Sequence, residues 1–388
     1  MHLSLTMRHQ PFAEFTARSR GPLQLIGRLS GSILAAFALL VAACASPAPT
    51  PTPTPTFTPT PTATPLRERP VSLPSDDAPH AEANMEWWYY NGHLTDAANS
   101  KYGFHYAVFR VTVPGFPPVH IGHVAISDAQ RGAYVQDQLL QLGVQPIPRA
   151  DHFGFHVNGW IMGGGDGADT LFARVPSIVP EYEFNLAVQA TRPPVLHGGT
   201  GLVDFGVAGK SYYYSRTRMD LRGTVSVGGQ ESDVIGQAWF DHQWGNFPPQ
   251  DIGWDWFALQ LDDGTDVMLS LLFGPGHEPL HNYGTVVRAD WQQVDLAADQ
   301  FQVQSTGQWT STVTGITYPS GWKVVIPQLG VDVAVAPLIL ASEFDARQTT
   351  QNVYWEGDVA VSGSHSGVGY VELTGYRAPP VATPTPLR

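Results

Sequence analysis

The chain has 388 residues, of which 14% are charged and 11% aromatic, and its formal net charge is −13 at pH 7. This length exceeds one typical core and predicts two domains, while the acidic balance excludes nucleic acid as an expected partner. The 39 glycines and few charges are typical of a turn-rich all-β protein.

Residues 1–43 have the order of a secretory signal peptide, because arginines up to Arg28 precede an apolar run at 33–43. The run is too short for a comfortable membrane span. It ends Leu-Val-Ala-Ala at Cys44, which resembles the bacterial lipobox, whose cysteine is lipidated and becomes the new N-terminus. We therefore expect an extracytoplasmic protein that a lipid on Cys44 anchors to the cell membrane. Cys44 is the only cysteine, so an intrachain disulfide is excluded.

A Pro/Thr-rich tether is predicted at 44–70. Proline removes backbone donors and fixes φ, so this segment should be extended and without a core. The folded part begins near Val71 with the period of two that is typical of strands, and the predicted strands lie at 102–113, 120–127, 182–190, 221–227 and 234–242. Residues 381–388 are expected to be a disordered tail.

Two pairs of segments match each other without a gap, namely 87–96 with 254–263 and 223–229 with 357–363. This self-similarity predicts one β-unit repeated, with domains at 71–247 and 248–380. Short, numerous strands with an aromatic interior favour closed antiparallel barrels, which leave no edge exposed and can enclose a ligand. The predicted fold is therefore all-β, with two tandem antiparallel β-barrel domains.

The segments 238–245 and 253–257 together hold four tryptophans, two aspartates and a histidine, and no lysine or arginine. On a strand, the even-numbered residues of 239–244 face one side and the odd-numbered residues the other. A carboxylate or imidazole buried among indoles needs partners or a shifted pKa, so acid–base chemistry is expected here. The alternative is that Asp241 and His242 pair with each other or with Arg218 and only lock the domain junction.

One metal motif is rejected. His277 and His281 flank Glu278 with the H-E-x-x-H spacing, but that motif needs a helix, and Pro279 and the preceding Gly-Pro-Gly predict a loop. The chain also lacks the G-x-S-x-G, G-x-G-x-x-G and P-loop patterns. No metal and no cofactor are expected.

Five motifs in order resemble those of the AttH-like, carotenoid 1,2-hydratase-related family: Glu-Trp-Trp-Tyr at 86, Tyr-Tyr-Tyr-Ser at 212, Asp-His-Gln-Trp-Gly at 241, Trp-Asp-Trp-Phe at 254 and Tyr-Val-Glu-Leu-Thr-Gly-Tyr at 370. The resemblance covers residues 78–377 and implies two lipocalin-like domains. Its best understood members add water to an isoprenoid double bond, and many secreted members are regarded as hydrolases. It therefore implies a hydro-lyase or hydrolase that acts on a hydrophobic small molecule. The histidine and tryptophan that match His242 and Trp244 are thought to matter for activity in the hydratases.

Hydration of an alkene needs an acid, a pocket that tolerates a carbocation, and a base for water. We predict Asp241 as the acid, since desolvation favours its protonated form, and His242 as the base. These residues point to opposite faces of a regular strand, so a joint role needs a bulge or the strand's end here. The predicted ligand-binding residues are Glu86, Trp88, Tyr214, Arg218, Trp244, Trp254, Asp255 and Trp256.

A second class of function stays open, because an anchored extracytoplasmic protein does not fit carotenoid biosynthesis. The alternative is a non-catalytic, lipocalin-like carrier of an apolar ligand. Turnover separates the two, since a carrier returns its ligand unaltered.

Overall fold

The computed structural model describes residues 68–146, 149–177, 180–206, 209–246 and 252–377. The predicted signal peptide, Cys44, most of the tether, the tail at 381–388 and the domain boundary at 247–248 lie outside the described residues. Within those ranges, no helix combines the length and apolar character needed to cross a membrane.

Regular structure in the described part of the chain consists of β-strands and short 3-10 turns, the latter at Ser75–Asp77, His197–Gly199 and Pro327–Leu329. The strands of the first sheet are β1 Met85–Asp96, β2 Lys101–Val111, β3 Val119–Asp128, β4 Ala133–Leu142, β5 Phe153–Val157, β6 Trp160–Gly165, β7 Ala168–Val175, β8 Tyr182–Ala190, β9 Val195–Leu196, β10 Leu202–Asp204, β11 Lys210–Val227 and β12 Gln230–Gly245. The later strands are β13 Gly253–Leu261, β14 Asp266–Phe273, β15 Pro279–Val287, β16 Gln293–Ala297, β17 Gln302–Ser305, β18 Gln308–Thr310, β19 Thr317–Pro319, β20 Trp322–Ile326, β21 Val331–Pro337, β22 Glu343–Ala346, β23 Asn352–Gly363 and β24 Gly367–Thr374.

Two large antiparallel sheets form the fold. The first has the order β4-β3-β2-β1-β12-β11-β8-β7-β6-β5, with β9 and β10 also paired to β11. The second has the order β16-β15-β14-β13-β24-β23-β21-β20-β17, with β22 on β23, while β18 and β19 pair separately. In the first sheet β3 and β4 approach β5 and β7, so the sheet curls back on itself like a barrel. The predicted all-β class with two barrel-like units is confirmed.

The segments that matched in the sequence occupy equivalent places in the two sheets. β1 lies between β2 and β12, and β13 lies between β14 and β24. The segments 223–229 and 357–363 lie where the hairpins β11–β12 and β23–β24 form. The sequence repeat is thus a repeat of strand topology.

Strands β1 and β12 are buried on both sides, and this positions the candidate site. Their even-numbered residues, such as Trp88 and Phe240, face the core of the first sheet. Their odd-numbered residues, such as Tyr89 and Trp239, join a separate core with Trp256 and Tyr370 of the second sheet. The two sheets therefore pack through their outer faces, and side chains of opposite parity enter different environments.

Candidate functional site

Two rows of side chains meet between the sheets. In the first sheet, Tyr89 pairs in register with Asp241, and Asp241 pairs with Ser215. In the second sheet, Trp256 pairs with Glu372, which pairs with Glu356. Each row crosses three adjacent strands. Alternation along these strands brings both rows to the buried interface.

Three carboxyl groups lie on this interface, and we call Asp241, Glu356 and Glu372 the acid group. Asp241 and Glu356 are buried, and Glu372 is half-buried. Tyr89 donates a 2.5 Å hydrogen bond to Oε1 of Glu356, and Glu372 is hydrogen-bonded to Thr374 and Trp254. The acid group thus combines buried carboxyls with phenol and indole side chains.

Burial raises the pKa of each carboxyl in the acid group. For Glu356, burial and then the neighbouring Glu372 hold the pKa well above its usual range. Burial raises the pKa of Glu372 to about 7, assisted by the charge of Asp241 and opposed by the bonds from Thr374 and Trp254. Burial also raises the pKa of Asp241 to about 6, against three hydrogen bonds. Burial therefore favours the protonated form of Glu356, which makes this carboxyl a candidate acid in an apolar setting.

His105 lies beside this acid. Its Nδ1 is 3.3 Å from Oε1 of Glu356, yet among the described residues neither ring nitrogen has a partner with hydrogen-bond geometry. Burial, and then His123, hold the pKa of His105 well below its usual range, so the ring is neutral. A neutral imidazole with an unused nitrogen next to a protonated carboxyl is suited to accept a proton from water.

Asp241 accepts hydrogen bonds from the hydroxyls of Tyr213 at 2.6 Å and Ser215 at 2.5 Å and from Nε1 of Trp239 at 2.7 Å. The register of β12 with both neighbouring strands is unbroken from 240 to 245, so Asp241 and His242 remain on opposite faces. The register shift of β11 lies between Arg216 and Met219 instead. The two predicted catalytic residues therefore belong to separate groups.

His242 lies in the first barrel, in a hydrogen-bonded chain that we call the barrel chain: His80, Glu86, His242, Tyr214 and Asp77. Oε1 of Glu86 is 2.7 Å from Nδ1 of His80 and 2.9 Å from Nε2 of His242. Nδ1 of His242 is 3.2 Å from the Tyr214 hydroxyl, which donates to Asp77. Asp77 ends the chain in an ion pair with Arg216, at 2.9 Å.

Charges in the barrel chain are compensated. Burial opposes ionisation of Glu86, but hydrogen bonds from His242 and His80 outweigh it and lower its pKa to about 2. Burial likewise opposes the charge on His80, but Asp76 and Glu86 raise its pKa to about 9. Burial lowers the pKa of His242 in spite of Glu86. The carboxylate of Glu86 thus lies between a cationic and a neutral imidazole.

Aromatic rings enclose the barrel chain. The Trp88 ring stacks on His242 at 4.4 Å, and the Trp244 ring stacks on His80 at 3.9 Å. Nε1 of Trp88 donates to the backbone oxygen of Asp77 at 3.2 Å. The predicted residues Glu86, Trp88, Tyr214 and Trp244 are thus brought together around His242.

His80, Glu86 and His242 could also hold a metal, because one ligand atom from each lies within 4.8 Å of the others. The contacts have hydrogen-bond lengths, however, and Nη1 of Arg110 lies 3.6 Å from Oε2 of Glu86. A cationic His80 and a nearby guanidinium fit a charge-balanced chain better than a cation site. The expectation of no metal remains a prediction.

The other predicted ligand-binding residues are divided. Trp254 and Trp256 share the interface face of β13, where Nε1 of Trp256 donates to the Tyr213 hydroxyl at 3.2 Å. Asp255 lies on the opposite face and accepts from Tyr376 at 2.8 Å. Arg218 forms an ion pair with Asp266 at 2.6 Å, which joins the two sheets.

Sequence reasoning did not select Glu356, Glu372, His105 or His80. The two glutamates stand in motifs near Tyr354 and Tyr370, but no pattern shows that their carboxyls meet. His105 is a single histidine on a strand, and His80 precedes β1, outside any periodic segment. An acidic residue on a strand that is buried on both faces is a signal that points to Glu356 and Glu372, because burial of an unpaired carboxyl is costly.

The sequence model of the AttH-like family matches residues 64–376. No curated protein matches the chain. A crystal structure assigned as an AttH protein of Nitrosomonas europaea is 27% identical, with a TM-score of 0.72, over 81% of this chain and 99% of that one. Kievitone hydratase from Nectria haematococca is 18% identical, with a TM-score of 0.64, over 80% of this chain and 94% of that one. The second likeness concerns the fold alone.

Proposed function

The chain belongs to the AttH-like family, and from this premise we propose that it is a hydro-lyase that adds water to a double bond of a hydrophobic, isoprenoid-type molecule outside the cytoplasm, anchored to a bacterial membrane through Cys44. The observation that carries the proposal is the acid group, in which the buried carboxyl of Glu356, whose pKa burial raises, lies 3.3 Å from a ring nitrogen of His105. A solved structure with the same fold is named a hydratase, which supports the class of reaction.

The proposed reaction uses the acid and the base in turn. The π electrons of the double bond take the proton of Glu356, which leaves a carbocation on the adjacent carbon. Water forms the new C–O bond, and its surplus proton passes to a ring nitrogen of His105. That proton then returns to the carboxylate of Glu356, so that one water molecule is added and the protein is unchanged.

Aromatic faces supply the environment for the cation. The rings of Tyr89 and Trp256 are 5.5 Å apart at the acid group, and an indole face stabilises a desolvated cation by about 2 kcal/mol. Half-buried Trp87 and Trp254 lie at the border of this interface, and a ligand reaches the buried carboxyls if these side chains move. Ligand sites favour domain interfaces of this kind.

Hydrolysis has weaker support. Ser215, His197 and Asp241 lie within hydrogen-bond distance, with His197 Nε2 2.7 Å from the Ser215 hydroxyl. The serine, however, stands between the histidine and the aspartate and donates to the carboxylate. In a nucleophilic triad the histidine holds the central place and takes the serine proton.

The carrier alternative also has weaker support, because large side chains such as Trp88, Tyr90 and Phe240 fill the interior of the first barrel. A lipocalin-like carrier holds its ligand inside the barrel. A protein that retains an apolar molecule and returns it unaltered would nevertheless establish this alternative.

The experiment follows geraniol as a probe alkene in H₂¹⁸O and D₂O by mass spectrometry. The proposal expects a hydrated product that carries one ¹⁸O and one carbon-bound deuterium, and at least a hundredfold lower rate for Glu356→Gln. Glu343→Gln is the matched control, since the Glu343 carboxylate accepts hydrogen bonds from Ser311 and Tyr318, which do not belong to the acid group. Equal rates for the two folded variants would refute the role of Glu356.

A further inference from the structure

One end of the first sheet carries a cluster of exposed apolar side chains, and we call it the rim: Met85, Val113, Phe116, Leu140, Leu142 and Val144. A single register row connects its strands, running from Leu142 through Val119 and Val111 to Met85. Six of the exposed large apolar residues in the described ranges thus share one edge. Scattered apolar residues are ordinary on a protein surface, but a contiguous cluster marks an interaction site.

The part of the rim that carries Phe116 is a turn closed by a backbone hydrogen bond. The backbone N–H of Phe116 donates to the oxygen of Val113 at 3.0 Å, with Pro114 and Gly115 at the centre of the turn. Gly115 has φ +83°, the conformation that the third position of a type II turn requires. Phe116 is 72% exposed and Val144 is 84% exposed. The fold therefore presents a phenyl ring to solvent from a fixed turn.

Composition and chain direction indicate what covers the rim. Segments 111–119 and 138–146 contain no charged residue, whereas the whole chain has a net charge of −13. The described chain begins at the same end of the sheet, because Glu68 pairs with Lys210 at the start of β11, at 2.6 Å. The apolar run at 33–43 and Cys44 precede that point. An uncharged surface fits the apolar layer of a lipid bilayer better than an anionic headgroup site.

We propose that the rim inserts into the outer surface of the lipid bilayer. This proposal deepens the proposed function, on which it rests for the membrane location. Trp87 lies on β1 between Met85 of the rim and Tyr89, which donates a hydrogen bond to Glu356 of the acid group. Four residues of strand span about 13 Å. An apolar substrate then passes from lipid to the interface along half-buried aromatic side chains without crossing water.

The test is fluorescence quenching on vesicles. The full-length chain with Phe116→Cys, Val144→Cys or Ile235→Cys is labelled with an environment-sensitive fluorophore and reconstituted in phosphatidylcholine vesicles with or without spin-labelled lipid. Ile235 is the matched control, because it is 70% exposed but lies on β12 away from the rim. The unsubstituted chain measures any label on Cys44, and its signal is subtracted.

The proposal expects lipid quenching at positions 116 and 144 at least threefold stronger than at 235. Equal quenching at all three positions, on chains that still float with the vesicles, refutes the rim and leaves the anchor and the hydratase proposal standing. A chain that does not float with vesicles refutes both the anchor and the rim. Energy transfer between labelled copies at 116 without lipid quenching identifies a second copy as the occupant and also refutes the proposal.

Discussion

Glu372 and Glu86 should contribute to stability with opposite signs, and Glu372→Gln is the perturbation that shows the contribution of Glu372. The pKa of Glu372 is raised to about 7 in the folded protein from its ordinary value of 4.5. The folded state therefore binds a proton that the unfolded chain releases above pH 4.5. The ionisation of Glu372 should therefore lower wild-type stability as pH rises from 4.5 towards 7, and removal of the carboxyl should abolish this part of the loss.

The magnitude follows from the two pKa values of Glu372, because each pKa unit corresponds to about 1.4 kcal/mol. The loss in the free energy of unfolding therefore approaches about 3 kcal/mol at pH 8. Glutamine keeps one oxygen acceptor for Thr374 or Trp254 and loses the other, which costs about 1 kcal/mol at every pH. The variant is thus slightly less stable than wild type at pH 4.5 and more stable at pH 8.

Glu86→Gln is the comparison, because Glu86 is a fully buried glutamate whose pKa is lowered to about 2. Its ionised form stabilises the folded state above pH 4.5, and this contribution is lost as pH falls through the folded pKa. The free energy of unfolding of the Glu86→Gln variant should be about 3 kcal/mol lower than that of wild type at pH 5 to 8. Guanidinium unfolding, followed by circular dichroism at pH 4.5, 6, 7 and 8, measures both differences. A Glu372→Gln difference from wild type that does not change between pH 4.5 and 8, or a Glu86→Gln variant as stable as wild type at pH 5 to 8, would refute the assigned ionisation states.

Three further outcomes are expected. Cys44→Ser should move the protein out of the membrane fraction; a variant that stays there as fully as the parent contradicts lipid anchoring. A chain starting at residue 70 should remain soluble with a β-sheet circular dichroism spectrum, because the Pro/Thr segment adds nothing to either core; a helical spectrum contradicts it. Asp241→Asn should lower geraniol conversion by the protein that remains folded, whereas His242→Ala, which removes a donor to Glu86, should lower the free energy of unfolding by about 1–3 kcal/mol and leave conversion by the folded protein unchanged. The reverse pattern would place the chemistry in the barrel chain.

Local pattern was sufficient to predict the fold. The predicted strand at 182–190 coincides with β8, and that at 120–127 lies within β3, because alternation with period two needs no knowledge of partners. The matched segments at 87–96 and 254–263 revealed the repeated topology. The expected alternation at 239–244 also agrees with the structure, as His242 and Asp241 enter different cores.

The acid group could not be predicted in this way, because it depends on two sheets that meet through their outer faces. Glu356 and Glu372 are separated from Tyr89 by more than half of the chain, and no local pattern encodes that contact. Arg218 was selected as a ligand-binding residue from its motif, yet it pairs with Asp266 across the sheets. His80 pairs with Asp76 and Glu86, which are nearby in the sequence, but His80 lies between regular elements, so no periodic pattern marks it.

The unbroken register of β12 has a consequence for how this protein can vary. Because each step along the strand changes the compartment that a side chain enters, a one-residue insertion between 239 and 241 would deliver the imidazole to the interface and the carboxylate to the barrel. A substitution changes the side chains of one compartment, whereas a change in length exchanges the side chains of both compartments. Protein engineering of this strand should therefore keep its length and exchange residues two positions apart when only one compartment is to be redesigned.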